Sequence, residues 1–389
     1  MGGKMKRKIQ KTSQNSVKTK INYKKLIIFL IAIFGIGWVV ASQFDAKPAF
    51  VNLDEKSDIV NENTNDKGDT NDKGETGDNK EKSVSPLSGL PIDKDELKKR
   101  AVAVMINNHK KATPQSGISK ADIIYEVPVE GEFVRLMAIF QDLNVDKIGP
   151  IRSARHYFMD YAFDNDAIYV HFGHSDQATE AIADLDVPSI DGINPKYEAI
   201  MTWRDKERQK SSGLEHSAYT SGKKIKAAWK LAKYEVENDE DYKPMFKFSD
   251  EILNTDDWGL CTKITIPYSY YQKSVFEYNE SSDTYKRFQF AAPHIDADTG
   301  KQLEFTNVII QYSKVSPIKN DSYGRKNIDT VSDGEALYLT NGKIIPIKWS
   351  KSNHKAEVEY TYEDGKSLVL NKGKTWISIV PNEIKIIKE

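Results

Sequence analysis

The sequence predicts an α+β fold in which a layered mixed α/β N-terminal lobe precedes a β-rich C-terminal lobe. Up to about residue 245, short apolar runs of strand length alternate with segments of helical periodicity. Beyond that point nearly every apolar run has strand length, and turn signals such as Asn-Gly and Asp-Gly separate the runs. With 389 residues, the chain is long enough for one large or two moderate domains.

A basic tail and an apolar run begin the chain. Residues 1–25 contain nine Lys or Arg and no Asp or Glu, so the net charge of −1 conceals a charge of −10 on the remainder. Residues 26–44 carry no charge, and a helix of that length spans about 28 Å, close to the hydrocarbon thickness of a bilayer. Positive charge holds the N-terminal flank in the cytoplasm. We therefore expect a single-pass anchor in the lipid bilayer of a bacterial cell membrane, with everything after Phe44 extracytoplasmic.

Two alternatives for the apolar run stay open. One is a signal peptide cleaved at the small-residue site Val39-Val40-Ala41, and the other is a buried core helix. The anchor and the signal peptide both imply export. Because Cys261 is the only cysteine, the run has no neighbouring cysteine to carry a lipid, and the chain cannot form an internal disulfide. An exported protein without disulfides is typical of the bacterial envelope.

Residues 45–85 predict a disordered spacer. Asp, Asn, Lys, Gly, Glu and Thr dominate this segment, Phe50 is its only aromatic residue, and NDKG occurs at 65–68 and again at 71–74. Such a composition cannot bury enough apolar area to offset the entropy lost on ordering. The spacer is either a flexible tether that carries the folded part away from the membrane or a tolerated low-complexity insertion.

The remaining elements follow from periodicity. In the N-terminal lobe, runs rich in β-branched or aromatic residues predict strands at 101–106, 122–127, 136–140 and 167–172. Helical patterns predict helices at 152–163, 176–185 and 223–234. In the C-terminal lobe, strands are predicted at 263–267, 274–278, 285–290, 307–312, 336–339, 344–349, 367–370 and 375–380. Asn341-Gly342 and Asp364-Gly365 predict hairpins, because a type I′ turn requires positive φ at both central residues.

No strong catalytic or metal-binding motif is present. Gly373-Lys374-Thr375 resembles the end of a phosphate-binding loop, but position 368 is Leu instead of the required Gly. Residues 294–300 resemble the start of a calcium loop but lack its third side-chain ligand. Gly173-His174-Ser175 lacks the second Gly of a nucleophile elbow, and neither HExxH nor paired CxxC occurs. We therefore expect no metal and no cofactor.

Polar residues gather where predicted strands end and predicted helices begin. The ligand-binding candidates are Asn107, Asn108, Arg152, Ser153, Arg155 and Ser175. The two serines lie near predicted helix starts, where unpaired N–H groups favour an anion, and arginine binds phosphate or carboxylate through two parallel hydrogen bonds. The pattern therefore favours an oxyanionic ligand. The alternative is that the arginines pair with Glu126, Glu130 or Asp160 and that the serines only cap helices.

The candidates for acid–base catalysis are Glu126, Glu130 and His174. The two carboxylates would lie about 13 Å apart along an extended strand, farther than a glycosidase pair, unless Pro128 bends the segment. His171, inside a predicted strand, is expected to be a buried histidine with satisfied hydrogen bonds, whereas His174 in the following turn is expected to be exposed. The polar segment that contains Arg204 and His216 is either a solvated loop or a loop that closes over the site.

Long strings of the sequence closely resemble the YerB-like family, whose members are bacterial proteins classed as lipoproteins, of unknown function. These strings are GISKADIIYEVPVEGEFVRLMAIFQ, KIGPIRSARHYFMDYA, FTNVIIQY and GEALYLTNGKIIPIKWSK. The resemblance implies the family's N-terminal domain at 86–245 and its C-terminal domain at 255–382. It also implies an α+β layered fold on the outer face of a bacterial membrane, but no reaction. This chain departs from the family at the anchor, where the lipobox cysteine is missing and a transmembrane helix would replace the lipid.

Two functional hypotheses follow. The first is a membrane-anchored extracytoplasmic binding module that recognises a cell-wall polymer or an envelope protein through a shallow polar groove. The alternative is an enzyme, a phosphotransferase or hydrolase, that acts on a phosphorylated or glycosidic envelope substrate while Arg152 and Arg155 hold the anionic group. No nucleic-acid partner is expected, because the exported portion is acidic and the basic tail is explained by membrane topology.

Overall fold

The structure, a computed structural model, describes residues 82–389. The predicted tail at 1–25, the predicted anchor at 26–44 and all but the last four residues of the predicted spacer at 45–85 lie outside this part of the chain. A short strand already lies within those four residues of the spacer. Among residues 82–389, no helix is long and apolar enough to cross a membrane.

The predicted α+β class is confirmed, since the structure is 16% helical and 38% strand. The strands are β1 (Lys82–Val84), β2 (Pro91–Asp93), β3 (Val102–Ile106), β4 (Ile123–Pro128), β5 (Val134–Phe140), β6 (Ile168–His171), β7 (Ser189–Asp191), β8 (Trp203–Arg204), β9 (Ala218–Tyr219), β10 (Lys247–Phe248), β11 (Gly259–Leu260), β12 (Lys263–Pro267), β13 (Lys273–Asn279), β14 (Thr284–Gln289), β15 (Ala292–Pro293), β16 (Glu304–Phe305), β17 (Asn307–Ser313), β18 (Val315–Pro317), β19 (Lys326–Ile328), β20 (Asp333–Thr340), β21 (Lys343–Ser350), β22 (Glu359–Thr361), β23 (Val369–Leu370), β24 (Thr375–Pro381) and β25 (Ile387–Lys388). The α-helices are α1 (Phe158–Phe163), α2 (Asp176–Asp184), α3 (Glu198–Met201), α4 (Lys206–Ser212) and α5 (Gly222–Ala232). Short 3-10 helices lie at Lys94–Glu96, Lys110–Ala112, Ile118–Lys120 and Leu214–His216.

One eleven-stranded sheet runs through both predicted lobes. Its order is β11-β21-β20-β17-β24-β4-β5-β3-β6-β7, with β22 beside β21. β24 lies parallel to β17 on one side and parallel to β4 on the other. The last long strand of the C-terminal lobe therefore also pairs with the N-terminal lobe, and a single hydrogen-bonded sheet joins the two.

Both faces of this central sheet are buried. Along β3, Val102, Val104 and Ile106 belong to the core on one face, and Ala103 and Met105 belong to the core on the other. A strand covered on both faces is a continuous apolar run in the sequence, and this explains why β3 could be predicted from sequence alone.

Different layers cover the two faces. On the first face, α5 packs through Ile225 and Trp229, and a six-stranded second sheet packs through Phe276. That second sheet has the order β15-β14-β13-β12-β25, with β16 beside β14. On the opposite face, α1 packs through Phe158 and α2 through Ala178. The result is a layered arrangement with the central sheet in the middle.

Seven strands of the central sheet run in the same direction, namely β21, β17, β24, β4, β3, β6 and β7. β24 and β4, β3 and β6, and β6 and β7 are parallel neighbours, and β5 lies antiparallel between β4 and β3. The carboxyl ends of β24, β4, β3, β6 and β7 therefore meet at one edge of the sheet, which we call the carboxyl edge. In sheets with parallel strands, ligands bind preferentially at such an edge.

The helix predicted at 152–163 is only half formed, since α1 begins at Phe158. Residues 149–155 instead run extended along the carboxyl edge, where the amide of Arg152 donates to the carbonyl of Met105 at 2.9 Å. Hydrogen bonds to the strand ends outweigh the helical propensity of this segment. The extended segment places the arginines beside the strand ends.

Candidate functional site

Two stacked histidines lie beyond the end of β3. The rings of His109 and His216 are 4.9 Å apart and inclined by 22°, and Asn107 Nδ2 donates to His216 Nδ1 at 3.0 Å. His216 therefore carries its proton on Nε2, which lies 3.4 Å from Glu215 Oε1. The amide of Lys111 donates to His109 Nδ1 at 3.1 Å. Burial lowers the pKa of both histidines and so favours their neutral forms.

An ion pair between Arg152 and Glu215 completes this side of the site. Arg152 Nη2 donates to Glu215 Oε2 at 2.9 Å, and Nη1 donates to the Glu215 carbonyl at 3.2 Å. The hydrogen bond from Arg152 lowers the pKa of Glu215. The Glu215 side chain remains mostly exposed, so a ligand in solution can reach both charges. Arg152 thus pairs with Glu215 and not with Glu126, Glu130 or Asp160.

A second arginine cluster surrounds Glu130. Arg155 Nε donates to Glu130 Oε2 at 3.0 Å, Arg155 Nη2 contacts the other carboxylate oxygen, and Arg135 Nη2 lies 3.4 Å from that oxygen. Burial acts to raise the pKa of Glu130, but the hydrogen bond from Arg155 and the charges of both arginines outweigh it and lower the pKa to about 2. Glu130 is therefore ionised at neutral pH and cannot donate a proton as a general acid.

The two candidate serines have different roles. Ser175 caps α2, because its Oγ accepts a hydrogen bond from the amide of Ala178 at 3.2 Å. Ser153 caps no helix and donates instead to the carbonyl of Phe172 at 3.0 Å. Gly173 has a φ of 82°, and a Cβ at this position would lie 3.1 Å from Ser153 Oγ. Glycine therefore lets the turn after β6 approach the extended segment closely.

His171 and His174 flank Asp191 at the end of β7. His171 is buried, donates from Nδ1 to a backbone carbonyl at 2.8 Å and accepts from the Ser189 hydroxyl at 2.8 Å. It is thus a core histidine with satisfied hydrogen bonds, as the sequence predicts. His174 is more exposed, is hydrogen-bonded to Thr179 Oγ1 at 2.7 Å and lies 3.4 Å from Asp191 Oδ2.

Glu126 lies outside this polar cluster, in the interior of the protein. Both Glu126 and Arg287 are 0% exposed, and Arg287 Nη2 donates to Glu126 Oε1 at 2.8 Å. The hydroxyls of Ser274 and Ser378 also donate to this carboxylate, at 2.5 and 3.2 Å. The ion pair links the central sheet to the second sheet. Glu126 and Glu130 therefore have separate partners, and the structure does not assemble them into a carboxylate pair facing solvent.

Asn108 is also buried, behind the carboxyl edge. Its Oδ1 accepts from Gln115 Nε2 at 3.0 Å, and Gln115 Oε1 is hydrogen-bonded to His294 Nε2 at 2.9 Å. Of the two adjacent candidate asparagines, Asn107 contacts the stacked histidines, whereas Asn108 belongs to a buried network between the lobes.

An aromatic pocket adjoins the stacked histidines. It has a volume of about 240 Å³ and is lined by Pro128, Glu132, Phe133, Tyr268, Ser269, Tyr270, Lys326 and Pro381. Phe133 connects the pocket to His109, since their ring centroids are 5.1 Å apart. Tyr270 is 86% exposed and the adjacent Tyr271 is 67% exposed. We call this pocket, together with His109, Arg152, Glu215 and His216, the carboxyl-edge groove.

Several groove residues could not be found by inspection of the sequence. They are Phe133, Glu215, Tyr268, Tyr270 and Lys326. They come from separate segments of the chain, so no local spacing connects them. One available signal was the polar segment containing His216, for which a closing loop was an open alternative. That segment does reach the site, because His216 is buried against His109.

The groove is suited to holding a polar ligand. It offers imidazole rings, an accessible ion pair and exposed aromatic rings, which together can contact hydroxyl, amide and anionic groups. Among residues 82–389, no group of three or more His, Cys, Asp or Glu side chains is arranged to hold a metal ion.

Comparisons with known proteins match both lobes. Residues 87–235 match the N-terminal domain, and residues 264–377 the C-terminal domain, of a family described as protein of unknown function (DUF3048). A Bacillus subtilis strain 168 protein named "Putative lipoprotein YerB" is 34% identical over 306 residues, which cover 77% of this chain and 86% of that protein. A crystal structure of the YerB protein from Bacillus subtilis has a TM-score of 0.69 and 31% sequence identity, covering 79% of this chain and 100% of that chain.

Proposed function

The chain belongs to the family of proteins of unknown function (DUF3048), and we propose that it is an exported envelope protein that binds a cell-wall polymer through the carboxyl-edge groove. The observation that carries this proposal is the continuity of the groove. Phe133 lines the aromatic pocket and contacts His109, and His109 stacks on His216 beside the exposed ion pair of Arg152 and Glu215. A continuous surface of this kind suits an extended polar ligand.

The aromatic part of the groove supports a polymer of sugars. Tyr270 and Tyr271 lie on the turn between β12 and β13 and expose most of their surface, although large aromatic side chains are usually buried. Their rings offer flat apolar faces for sugar rings, while Arg152 and His109 supply hydrogen bonds. An oxyanionic group on the polymer would be held by Arg152.

The same geometry favours binding over acid–base catalysis. Glu126 is fully buried in an ion pair, and Glu130 is held by two arginines with its pKa lowered to about 2. Neither carboxyl group is therefore suited to donate a proton to a substrate at neutral pH. His174, the third catalytic candidate, is hydrogen-bonded to Thr179.

Membrane anchoring by residues 26–44 is part of the proposal. The Bacillus subtilis relative is named as a lipoprotein, whereas the single cysteine of this chain, Cys261, is buried within the fold. No cysteine lies near the apolar run, so no lipid can be attached to a cysteine there. We infer that the run itself holds the protein in the bilayer and that residues 45–85 carry the groove toward the wall.

Co-sedimentation of the full chain, held in detergent micelles, with purified bacterial wall sacculi tests the binding. We expect saturable binding and recovery of chemically unchanged polymer. Replacement of both Tyr270 and Arg152 by Ala should weaken binding roughly tenfold. Tyr323→Ala is the matched control, because Tyr323 is also an exposed tyrosine but lies outside the groove, and it should bind like the wild type. Equal binding by all three proteins, or release of polymer fragments, would refute the proposal.

A further inference from the structure

A second polar pocket lies at the opposite end of β4. Its volume is about 600 Å³, and its lining residues include Lys286, Lys301, Lys374, Ser119 and Thr299. Ser119 precedes β4, and Lys374 immediately precedes the parallel strand β24, so the pocket lies at the amino ends of these strands. The six residues of β4 place it about 20 Å from the carboxyl-edge groove. We call it the lysine pocket.

The lysine pocket holds more lysines than carboxylates, although Glu304 lies opposite Lys286 on the neighbouring strand. Within residues 82–389, none of Lys286, Lys301 and Lys374 forms an ion pair with Asp or Glu. The one carboxylate in the lining, Glu304, accepts instead from the hydroxyls of Thr284 at 2.9 Å and Ser282 at 3.3 Å. The lining therefore carries an excess of positive charge.

Lys374 is the most enclosed of the three ammonium groups. Its Nζ donates to the carbonyl of Ser119, and burial lowers its pKa. The charges of Asp122 and Asp296 act on the pKa of Lys374 in the opposite direction, but both carboxylates already have donors of their own. Asp296 Oδ2 accepts from the amide of Ser119 at 2.7 Å, and Asp122 Oδ1 accepts from the hydroxyl of Ser88 at 2.7 Å. An ammonium group that is partly removed from water gains most from a further anion.

The remaining lining shows what kind of molecule fits. Leu303 and Phe305 are buried at the base and give an apolar surface, while Ser119 and Thr299 bring hydroxyl groups to the rim. Lysine ammonium groups are compact charges that bind phosphate from several directions without demanding a planar partner.

We propose that the lysine pocket binds a phosphoryl group carried on a small polar unit, such as one unit of a phosphodiester polymer or the headgroup of an anionic lipid. The three lysines surround the anion, the hydroxyls of Ser119 and Thr299 contact the polar unit, and the apolar base excludes water from one side. This site is separate from the carboxyl-edge groove and does not depend on it.

Lysine footprinting by mass spectrometry tests the site and distinguishes the two sources. The full chain is placed in nanodiscs of phosphatidylcholine, with or without phosphatidylglycerol, and treated with an amine-reactive reagent in the presence or absence of inorganic phosphate. A bound anion stabilises the protonated lysine and shields it, so the reactivity of Lys286, Lys301 and Lys374 should fall roughly tenfold. Protection by added phosphate in phosphatidylcholine discs indicates a free or polymeric phosphate, and protection by phosphatidylglycerol alone indicates a lipid.

Control residues and a charge-reversal variant keep this test specific. Lys273 and Lys348 are exposed lysines outside the pocket, and their reactivity should not change. Lys301→Glu should abolish the protection of Lys286 and Lys374 while leaving the thermal unfolding temperature close to that of the wild type, because Lys301 is exposed. Absence of protection in both arms, or equal protection of the control lysines, would overturn the proposal. Because the groove variants leave these lysines untouched, failure of this site does not imply failure of polymer binding.

Discussion

Individual charged residues of this protein are held by partners that lie far away in sequence. Glu130 is held by Arg155, twenty-five residues later, and Arg152 by Glu215, sixty-three residues later. Glu126 reaches across to Arg287, with a separation of 161 residues. These pairings decide which carboxyl groups face a ligand and which are structural.

Lowering the pH should reduce the free energy of unfolding of the wild-type protein, partly because Glu130 becomes protonated. Its pKa is lowered from 4.5 to about 2 in the folded state, so the folded carboxylate binds fewer protons than the unfolded one between these values. Its contribution to stability is complete above pH 4.5 and is lost as the pH falls toward 2. The free energy of unfolding, measured with urea across this range, should therefore differ most between the wild type and Glu130→Gln above pH 4.5. A difference that stays constant down to pH 2 would contradict the assigned ion pairs.

The sequence could predict only part of this residue-scale arrangement. Pairing of Arg155 with Glu130 was one of the alternatives, because both residues flank predicted strands that are neighbours in the chain. The partner of Arg152 could not be predicted, since Glu215 lies in a short 3-10 helix whose position depends on the packing of the whole lobe. The burial of Glu126 could not be predicted either, because the second sheet that covers it lies more than a hundred residues later in the chain.

At the scale of elements, the turn dipeptides predict the hairpins where the local backbone geometry decides the structure. Asn341 and Gly342 have φ values of 53° and 71° and join β20 to β21 by a two-residue turn, as the sequence predicts. At Asp364-Gly365, only Gly365 has positive φ, and its amide donates to the carbonyl of Tyr362 at 2.9 Å. This second turn is therefore not type I′, which requires positive φ at both central residues. The Asp-Gly dipeptide is also compatible with other turn types.

The β20–β21 hairpin gives a stability prediction. Gly342→Ala should destabilise the protein by roughly 1–2 kcal/mol, because a non-glycine residue is strained at this positive φ. A Cβ there would also lie 2.8 Å from a ring carbon of Tyr278. Gly259→Ala is the matched control in the adjacent strand β11, where the new Cβ meets no atom closer than 3.4 Å. Urea unfolding that shows equal effects of the two substitutions would contradict the turn assignment.

Helix prediction succeeded where a cap and a periodic face coincide. Ser175 caps α2, and the predicted helix at 176–185 agrees with the observed Asp176–Asp184. The helix predicted at 152–163 has Ser153 near its start, but Ser153 donates to the carbonyl of Phe172 instead of capping a helix. The first half of this segment forms hydrogen bonds with the ends of β3 and β6. Local periodicity cannot reveal that competition, because the competing strands are brought there by the fold.

At the scale of the whole molecule, the central sheet makes the two lobes interdependent. β24 pairs with β4 over the register Thr375↔Ile123 to Ser378↔Glu126. Parallel pairing between strands so distant in the chain leaves no local sequence signal, so the two lobes were expected but their shared sheet was not. The ion pair between Glu126 and Arg287 reinforces the same junction.

We therefore predict that the two lobes unfold together. Removing one lobe would expose the long unpaired edge of β4 or β24 and the buried charge of Glu126 or Arg287. In hydrogen exchange followed by mass spectrometry at increasing urea, peptides from β3 and from β21 should lose protection at the same denaturant concentration. Loss of protection in one lobe well before the other would show that the lobes are independent.

Photo-crosslinking in living bacteria tests polymer binding at the groove most directly. A photoreactive amino acid replaces Phe133, which lies between the aromatic pocket and the stacked histidines. The same residue placed at Ile252, which is 77% exposed and outside the groove, serves as the control. We predict that illumination links the chain to wall polymer from position 133 and not from position 252. Crosslinks from position 133 only to cytoplasmic molecules, or equal polymer capture from both positions, would contradict binding of a wall polymer in the groove.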